Sequence, residues 1–294
     1  MKALISLIVA LMVTLPSLAQ AYDVLVVMSR RNPVLEEVLK GFRSGTRFSE
    51  RVLVLSDYDS VDLSRIVRED HPSLVLALGD QALAEAGKLQ KPHVVALMSL
   101  GIHTYDGSPN VTGIDMFAAP KGYLEIFRRM KAKRVGVICD PDKSGWYLRQ
   151  AQQEARRAGI DLVVREVRTS RETPAQFTSL KGKIDALWMW PDTTTVTRDT
   201  VEYYANFSLE QQVPLISFAS DYLKIGAAAA KVIDFTDLGK QANALAAKIL
   251  GGAAPADLPI ASPRRVIFKS NPAILKRLGI SVNDMENMFS PGEE

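Results

Sequence analysis

The feature that most constrains the fold is a repeated alternation of short apolar runs and helical stretches from residue 22 onward. The apolar runs are almost unbroken, which is typical of strands that are buried on both faces of a sheet. Strands separated by helices predict parallel sheets with right-handed crossovers. The predicted strands are 24–28, 52–55, 74–78, 94–97, 134–139, 161–164, 186–190, 213–218, 225–233 and 266–269.

Two such series follow one another, and this division predicts two lobes. The loop 101–110 between them is rich in Gly, Ser, Pro, Asp and Asn, as expected at a boundary. A chain of 294 residues also reaches the size at which a single core usually stops growing. We therefore predict an α/β fold of two Rossmann-like lobes, with a ligand crevice between them. The clearest predicted helices are 119–131, 144–159 and 235–250.

The first 21 residues have the pattern of a secretory signal peptide. Lys2 supplies the positive start, residues 3–15 are almost entirely apolar or small, and Ala19-Gln20-Ala21 offers small residues for cleavage. A transmembrane anchor is the alternative, but this run is shorter than the ~20 residues that span a bilayer. We expect cleavage after Ala21 and a periplasmic location for the mature protein.

Charge and motif content argue against nucleic-acid binding, metal binding and catalysis. The 36 basic and 33 acidic residues leave a net charge of +3 without a basic run of five, so no nucleic-acid partner is expected. His71, His93 and His103 lack metal-ligand spacing, and neither a nucleophile elbow nor a glycine-rich phosphate loop is present. The single Cys139 cannot form an intramolecular disulfide, and a buried small hydrophobe is favoured over a reactive thiol. We predict no enzyme, no cofactor and no metal.

Polar and aromatic residues follow several predicted strands at their carboxyl ends, where open α/β sheets bind ligands. Several of them, such as Asp80, Ser144 and Asp192, also suit the simpler role of helix N-cap, and this alternative stays open. The binding interpretation requires that these loops converge on one crevice. The candidate ligand-binding residues are Ser29, Asp80, Gln81, Ser99, Asp140, Ser144, Asp192, Ser217, Phe218 and Tyr222.

The chain from Asn110 onward also resembles a known family through an ordered set of short motifs. The motifs are Asn110-Val111-Thr112-Gly113, Arg134-Val135-Gly136-Val137 with Asp140-Pro141, Asp185-Ala186-Leu187-Trp188 with Pro191-Asp192, Val213-Pro214-Leu215, Gly226-Ala227, Leu238-Gly239-Lys240-Gln241-Ala242, and Lys248-Ile249-Leu250-Gly251-Gly252 with Leu258-Pro259. This succession resembles the ABC-transporter substrate-binding family that includes tryptophan- and phenylalanine-binding lipoproteins.

The resemblance implies a type I periplasmic-binding-protein fold in which the chain crosses between the lobes three times. It implies crossings near 110–113, 224–226 and 254–258, and ligand binding that closes the lobes about this hinge. The implied lobes are 22–112 with 226–254, and 113–225 with 255–294.

One departure from the family bears on the ligand. Relatives often carry Gly-Thr or Gly-Ser where the helix after the third strand begins, and these groups hold the ligand carboxylate. Here Asp80 follows Gly79, and a carboxylate at that place would repel an anionic ligand. Asp192 matches the Pro-Asp position of the family and would suit an ammonium group. We expect Asp192→Ala to abolish binding while leaving the melting temperature of the free protein nearly unchanged.

Taken together, these features predict a periplasmic solute-binding protein of an ABC importer. It would be a monomer that captures a small polar ligand, amino-acid-like or cationic, and delivers it to an inner-membrane ABC permease. The alternative is a ligand sensor of the same fold that signals to a membrane receptor. An enzyme on this scaffold is a third reading.

Overall fold

The computed structural model describes residues 22–282, and these form two α/β lobes with separate sheets. The predicted signal peptide, 1–21, and residues 283–294 of the predicted second lobe lie outside the described residues. Within the described part of the chain, no helix is both long and apolar enough to cross a membrane.

The first lobe is built on a five-stranded parallel sheet. Its strands are β1 (Val24–Met28), β2 (Glu50–Val54), β3 (Leu74–Leu78), β4 (His93–Leu97) and β5 (Val111–Gly113), and its helices are α1 (Pro33–Arg43), α2 (Leu63–Asp70) and α3 (Asp80–Ala86). The strand order is β2-β1-β3-β4-β5, and every paired strand runs parallel. All residues of β1 and β3 are buried, which explains their unbroken apolar sequences.

The second lobe is built on a six-stranded sheet. Its strands are β6 (Arg134–Cys139), β7 (Asp161–Glu166), β8 (Ala186–Trp188), β9 (Leu215–Ser217), β10 (Ala229–Ile233) and β11 (Val266–Ser270), and the helices after β5 are α4 (Pro120–Arg129), α5 (Pro141–Ala158), α6 (Thr173–Leu180), α7 (Val201–Gln211), α8 (Phe235–Leu250) and α9 (Pro272–Arg277). The order is β11-β10-β9-β8-β6-β7, and only the edge pair β10–β11 among these is antiparallel.

The expectation that residues 226–233 return to the first lobe is wrong. β10 pairs in parallel with β9 and antiparallel with β11, so it belongs to the second sheet. The predicted strand over 225–233 also begins too early, because residues 220–225 form a 3-10 turn that ends at Gly226 with φ 115°. The predicted strands over 186–190 and 213–218 are likewise shorter in the structure.

The helix that follows β10 does pack on the first lobe, as expected. α8 lies so close to α1 that a Cβ on Gly239 would meet the Val38 carbonyl oxygen at 2.0 Å. A Cβ on Gly41 would meet the Thr236 carbonyl oxygen at the same distance. Glycine on both helices therefore allows the backbone contact that ties α8 to α1.

Three segments join the lobes, at places that differ from those implied by the resemblance. The first crossing follows Gly113, because residues 111–113 are still β5. The second lies at Asp234, between β10 and α8. The third comes after Ala261, which pairs in parallel with Ile114 of the first crossing. Two crossings therefore run side by side and support one another through hydrogen bonds between residues 113–115 and 261.

Candidate functional site

A cavity of about 240 Å³ lies between the two lobes. The first lobe contributes the start of α3 and the loop after β4, and the second contributes the first turn of α5 and the loop after β8. These are the carboxyl ends of parallel strands, where ligand sites of α/β proteins form. The lining residues are Asp80, Leu100, Gly101, Phe117, Lys143, Pro191, Asp192 and Thr193.

Asp80 forms the first-lobe wall of this cavity, and its carboxylate is held by the loop after β4. Its Oδ1 accepts hydrogen bonds from the Ser99 hydroxyl at 2.5 Å, the Leu100 amide at 3.0 Å and the Gly101 amide at 3.3 Å. All three bonds end on Oδ1, and none of the hydrogen bonds recorded over residues 22–282 reaches Oδ2. The residue is exposed, so this second oxygen can accept a further hydrogen bond.

Asp192 forms part of the opposite wall, but its carboxylate is already saturated. Oδ2 accepts from the Asp140 amide at 2.8 Å and the Ser144 hydroxyl at 2.6 Å. Oδ1 accepts from the amides of Thr194 at 2.9 Å and Thr195 at 3.1 Å. These four donors match the acceptor capacity of a carboxylate, and the residue is only 2% exposed. Asp192 therefore joins the loops after β6 and β8 into one rigid wall.

This geometry changes two expectations about Asp192. Its carboxylate caps the turn after β8 and not a helix, because the next helix, α7, begins only at Val201. The buried donors around it also mean that removal of the carboxylate should destabilise the free protein, contrary to the expectation of an unchanged melting temperature.

Comparison with known proteins agrees with this architecture. Residues 56–288 match the family model described as ABC transporter substrate binding protein, which covers most of the chain. The chain belongs to the ABC transporter substrate-binding protein family. The resemblance expected from the motifs is thereby confirmed.

Solved structures that are similar to this substrate-binding protein share its two-lobed fold. An ABC domain from Streptococcus pneumonia in complex with L-Trp has a TM-score of 0.63 and 19% identity, over 91% of this chain and 99% of that one. A ligand-free, open substrate-binding protein with adhesive properties from Clostridium difficile has a TM-score of 0.66 and 22% identity, over 88% of this chain and 95% of that one. At these identities the likeness shows the fold, which is that of type I periplasmic binding proteins.

A curated relative is described as a tyrosine-binding protein of Clostridioides difficile (strain R20291). It is 26% identical over 183 residues, which make up 61% of this chain and 52% of that protein. The chain thus spans about half the length of this relative.

Asp140 and Ser144, both predicted at the site, lie behind the second-lobe wall. Asp140 is the N-cap of α5 and accepts from the Asp142 amide at 3.0 Å and the Thr194 hydroxyl at 2.7 Å. Ser144 is fully buried and donates to Asp192. In this substrate-binding protein only Asp140 is a helix cap, because Ser144 lies inside α5 and its hydroxyl donates to Asp192.

Three of the other predicted residues lie close to Asp80. Ser29 and Ser99 support Asp80: Ser99 donates to its carboxylate, and the Ser29 hydroxyl accepts from the Ala82 amide at the start of α3. Gln81 is exposed beside Asp80.

Ser217 ends β9, Phe218 and Tyr222 follow it, and the three are not among the cavity-lining residues. Ser217 is buried and donates to the carbonyl of Ala219. The rings of Phe218 and Tyr222 pack edge to face on each other, with centroids 5.1 Å apart, and both contact the apolar cluster beneath α6 and α7. Trp190, which suits either a ligand contact or the core, is 1% exposed and packs on Tyr147 in the core.

Sequence reasoning missed several lining residues, although a signal for most of them was present. Leu100 and Gly101 come directly after Ser99, and Thr193 directly after Asp192. Lys143 lies inside the Asp140–Ser144 turn and supplies the only positive charge among the lining residues. Extending the strand-end rule by one or two residues would have included all four. Phe117 lies in the first crossing, and no strand end points to it.

The hinge beside the cavity carries a second polar cluster. His103, after β4, contacts Asp106 through Nδ1 at 3.1 Å and the buried Asp115 of the first crossing through Nε2 at 3.2 Å. Its ring lies 3.6 Å, centroid to centroid, from that of Trp146 on α5 of the other lobe. Burial opposes the charged imidazolium, but the hydrogen bonds to Asp115 and Asp106 outweigh it, so the pKa of His103 is raised.

The remaining chemical candidates give no reactive site. Cys139 is fully buried, and burial, followed by the nearby Asp192, raises the pKa of its thiol to about 12. The thiol is therefore protonated at neutral pH, as expected of a small hydrophobic residue. Among residues 22–282, no group of three or more His, Cys, Asp or Glu side chains is arranged to hold a metal ion.

Proposed function

We propose that this protein is the periplasmic solute-binding component of an ABC importer. It captures a small polar ligand, amino-acid-like or cationic, between its lobes and presents the closed form to an inner-membrane ABC permease. The observation that carries the proposal is the cavity itself, which takes charged and apolar walls from both lobes at their strand ends.

The way the lobes are joined supports a binding cycle. Three short crossings connect the lobes, and the cavity lies where the two sheets face each other. A ligand that contacts both walls stabilises the closed arrangement, because it adds contacts that an open arrangement lacks. The relatives described as tyrosine-binding and as a complex with L-Trp support a small organic ligand of this kind.

The remaining parts of the proposal follow from the sequence. The pattern of residues 1–21 supports export with cleavage after Ala21. With one buried cysteine, the fold needs no disulfide in an oxidising compartment. The protein acts as a monomer that binds without turnover, with neither cofactor nor metal.

The test uses a variant that fills the cavity without straining the backbone. Gly101 lines the cavity with φ −88°, and a Cβ there would meet only Ser99 Oγ at 3.8 Å and Asp80 Oδ1 at 3.9 Å. Gly101→Leu is therefore expected to fold normally and to occlude the ligand. Ala84→Leu adds similar bulk on the exposed side of α3, outside the cavity, and serves as the control.

Purified wild-type protein is screened by thermal shift against amino acids, nucleosides, polyamines and small organic cations. A ligand at 100 times its Kd should add about 2.7 kcal/mol to the free energy of unfolding. We expect the best ligand to raise the melting temperatures of the wild type and of Ala84→Leu equally. It should raise that of Gly101→Leu by less than about a tenth as much. Equal shifts in all three proteins would refute the cavity as the site.

Uptake measurements separate the importer from a sensor. A strain that lacks the gene should lose uptake of the best ligand, and the wild-type gene should restore it while the gene for Gly101→Leu should not. Unchanged uptake would favour the sensor that signals to a membrane receptor.

A further inference from the structure

We propose that the cavity selects its ligand through a protonated amine that binds Asp80, and that the ligand is an organic amine without a carboxylate. This inference rests on the proposed function and names the chemical class of its ligand.

The first step is the arrangement of the Asp80 carboxylate. Three donors, from Ser99, Leu100 and Gly101, converge on Oδ1 and fix the orientation of the group. Oδ2 receives none of the hydrogen bonds recorded in the described part of the chain, yet Asp80 lines the cavity. A fixed carboxylate with one free oxygen is an acceptor for a cationic N–H group.

The second step is that the backbone amides that could bind an anionic ligand are already used by Asp80. The amides of Leu100 and Gly101 would be suitable partners for a ligand carboxylate, but Asp80 already occupies them. A ligand carboxylate at this wall would lie beside the Asp80 carboxylate, and like charges at close range repel. The first-lobe wall therefore excludes the group by which amino acids are usually anchored.

The third step is the charge of the whole lining. Asp80 and Asp192 contribute two carboxylates, and Lys143 contributes one ammonium group. Asp192 is buried with all its acceptor sites filled, so its negative charge acts at a distance rather than through a direct contact. Lys143 is exposed, so solvent screens its charge more than that of the buried Asp192. The summed charge of the lining therefore favours a cationic ligand.

The fourth step is the shape of the remaining surface. Leu100, Phe117 and Pro191 form an apolar part of the lining. Phe117 is fixed in place, because its ring packs 4.9 Å from Trp146 and 4.7 Å from Tyr147. A compact aromatic or aliphatic group on the amine would contact this surface.

The experiment compares ligands that share a ring and differ in charge. Tyramine and tryptamine carry only the amine, L-tyrosine and L-tryptophan carry the amine and a carboxylate, and 4-hydroxybenzoate carries only the carboxylate. Affinities are measured by titration calorimetry on the wild type and on Asp80→Asn, Lys143→Gln and Asp142→Asn. Asp80→Asn keeps an Oδ1 acceptor for the same three donors and removes the charge. Asp142→Asn removes an equal charge from an exposed residue outside the lining and is the matched control.

We expect the wild type to bind an amine at least about tenfold more tightly than the corresponding amino acid, and 4-hydroxybenzoate not at all. Asp80→Asn should weaken amine binding by roughly 10- to 100-fold, since a hydrogen bond to a charged group is lost. Asp142→Asn should retain the amine affinity of the wild type, and Lys143→Gln should bind the amine at least as tightly, because it removes a positive charge from the lining.

Three results would overturn the inference. The first is an amino acid that binds the wild type as tightly as its amine and loses affinity in Lys143→Gln, which would place its carboxylate on Lys143. The second is an amine affinity that Asp80→Asn leaves unchanged. The third is that none of the five compounds binds while a solute of the wider screen that carries no amine does, in which case the proposed function survives. The proposed function itself fails if Gly101→Leu binds every ligand as the wild type does, or if loss of the gene leaves uptake of the best ligand unchanged.

Discussion

Asp80 and Asp192 face the same cavity from opposite lobes, and their carboxylates are held in different ways. Asp192 is 2% exposed and accepts four hydrogen bonds from its own lobe. Asp80 is exposed and accepts three, all on one oxygen. In sequence the two look alike, because each is an aspartate after a buried strand.

The difference assigns the two residues separate tasks. A carboxylate whose acceptor sites are filled by buried donors holds its loops together and has no site left for a ligand. A carboxylate with a free oxygen is preorganised for a ligand and contributes little to the fold. Exposure and the donor count, rather than residue type, decide which task an aspartate performs.

The test of this comparison with the largest expected effect on stability is removal of the Asp192 side chain. Asp192→Ala leaves the Asp140, Thr194 and Thr195 amides without their acceptor, and the Ser144 hydroxyl with only the Asp140 carbonyl at 3.3 Å. We expect a loss of about 3–4 kcal/mol in the free energy of unfolding, measured by urea denaturation.

The control is Asp199→Ala, which removes an exposed aspartate from the turn just before α7. It should change the stability by less than about 0.5 kcal/mol, as surface substitutions usually do. If Asp192→Ala were no more destabilising than this control, the role of Asp192 in joining the two loops would be wrong.

The hinge extends the comparison to a third aspartate, Asp115, which shares its carboxylate with His103. Since the pKa of His103 is raised in the folded state, the stability from this contact is fully present below the unfolded pKa of about 6.5. It is lost as the pH rises through the folded-state pKa. We therefore expect the free energy of unfolding of the wild type to fall over that range, by less than Asp192→Ala costs.

His103→Gln should remove this part of the pH dependence, as followed by urea denaturation at a series of pH values. His71→Asn removes an exposed histidine, and asparagine suits its left-handed backbone, with φ 49°. This control should keep the pH dependence of the free energy of unfolding seen in the wild type. A pH dependence that survives in His103→Gln and disappears in His71→Asn would contradict the assignment of this effect to His103.

The smallest expected effect is that of Asp80→Asn on stability. The amide oxygen of asparagine can still accept from Ser99, Leu100 and Gly101, and the residue is exposed. The free energy of unfolding should change by less than about 1 kcal/mol, by the same urea method. A loss as large as that of Asp192→Ala would mean that the two aspartates do the same structural work.

Much of the fold could be predicted from the sequence, because buried parallel strands are unbroken apolar runs. The strands 24–28, 74–78 and 134–139 have the predicted bounds. The assignment of β10 to the first lobe failed for a physical reason. A strand and the helix after it usually share a lobe, but here the chain crosses between them: β10 pairs with β9 and β11, whereas α8 packs on α1 at Gly41 and Gly239.

The site was predictable in location but not in detail. The strand-end rule found Asp80 and Asp192, which line the cavity, and Ser99, which positions one of them. It also included Ser144 and Ser217, whose hydroxyls are used inside the lobe. Whether a polar side chain faces the ligand or its own loop depends on which partners tertiary packing brings near, and no sequence pattern records that.

The most direct test of the central claim is a crystal structure of the protein with the best ligand from the screen. We predict that the ligand lies between the lobes, with a polar atom within hydrogen-bond distance of Asp80 Oδ2 and its apolar part against Phe117. A ligand bound elsewhere on the protein, or one that contacts a single lobe and leaves this cavity empty, would contradict the account.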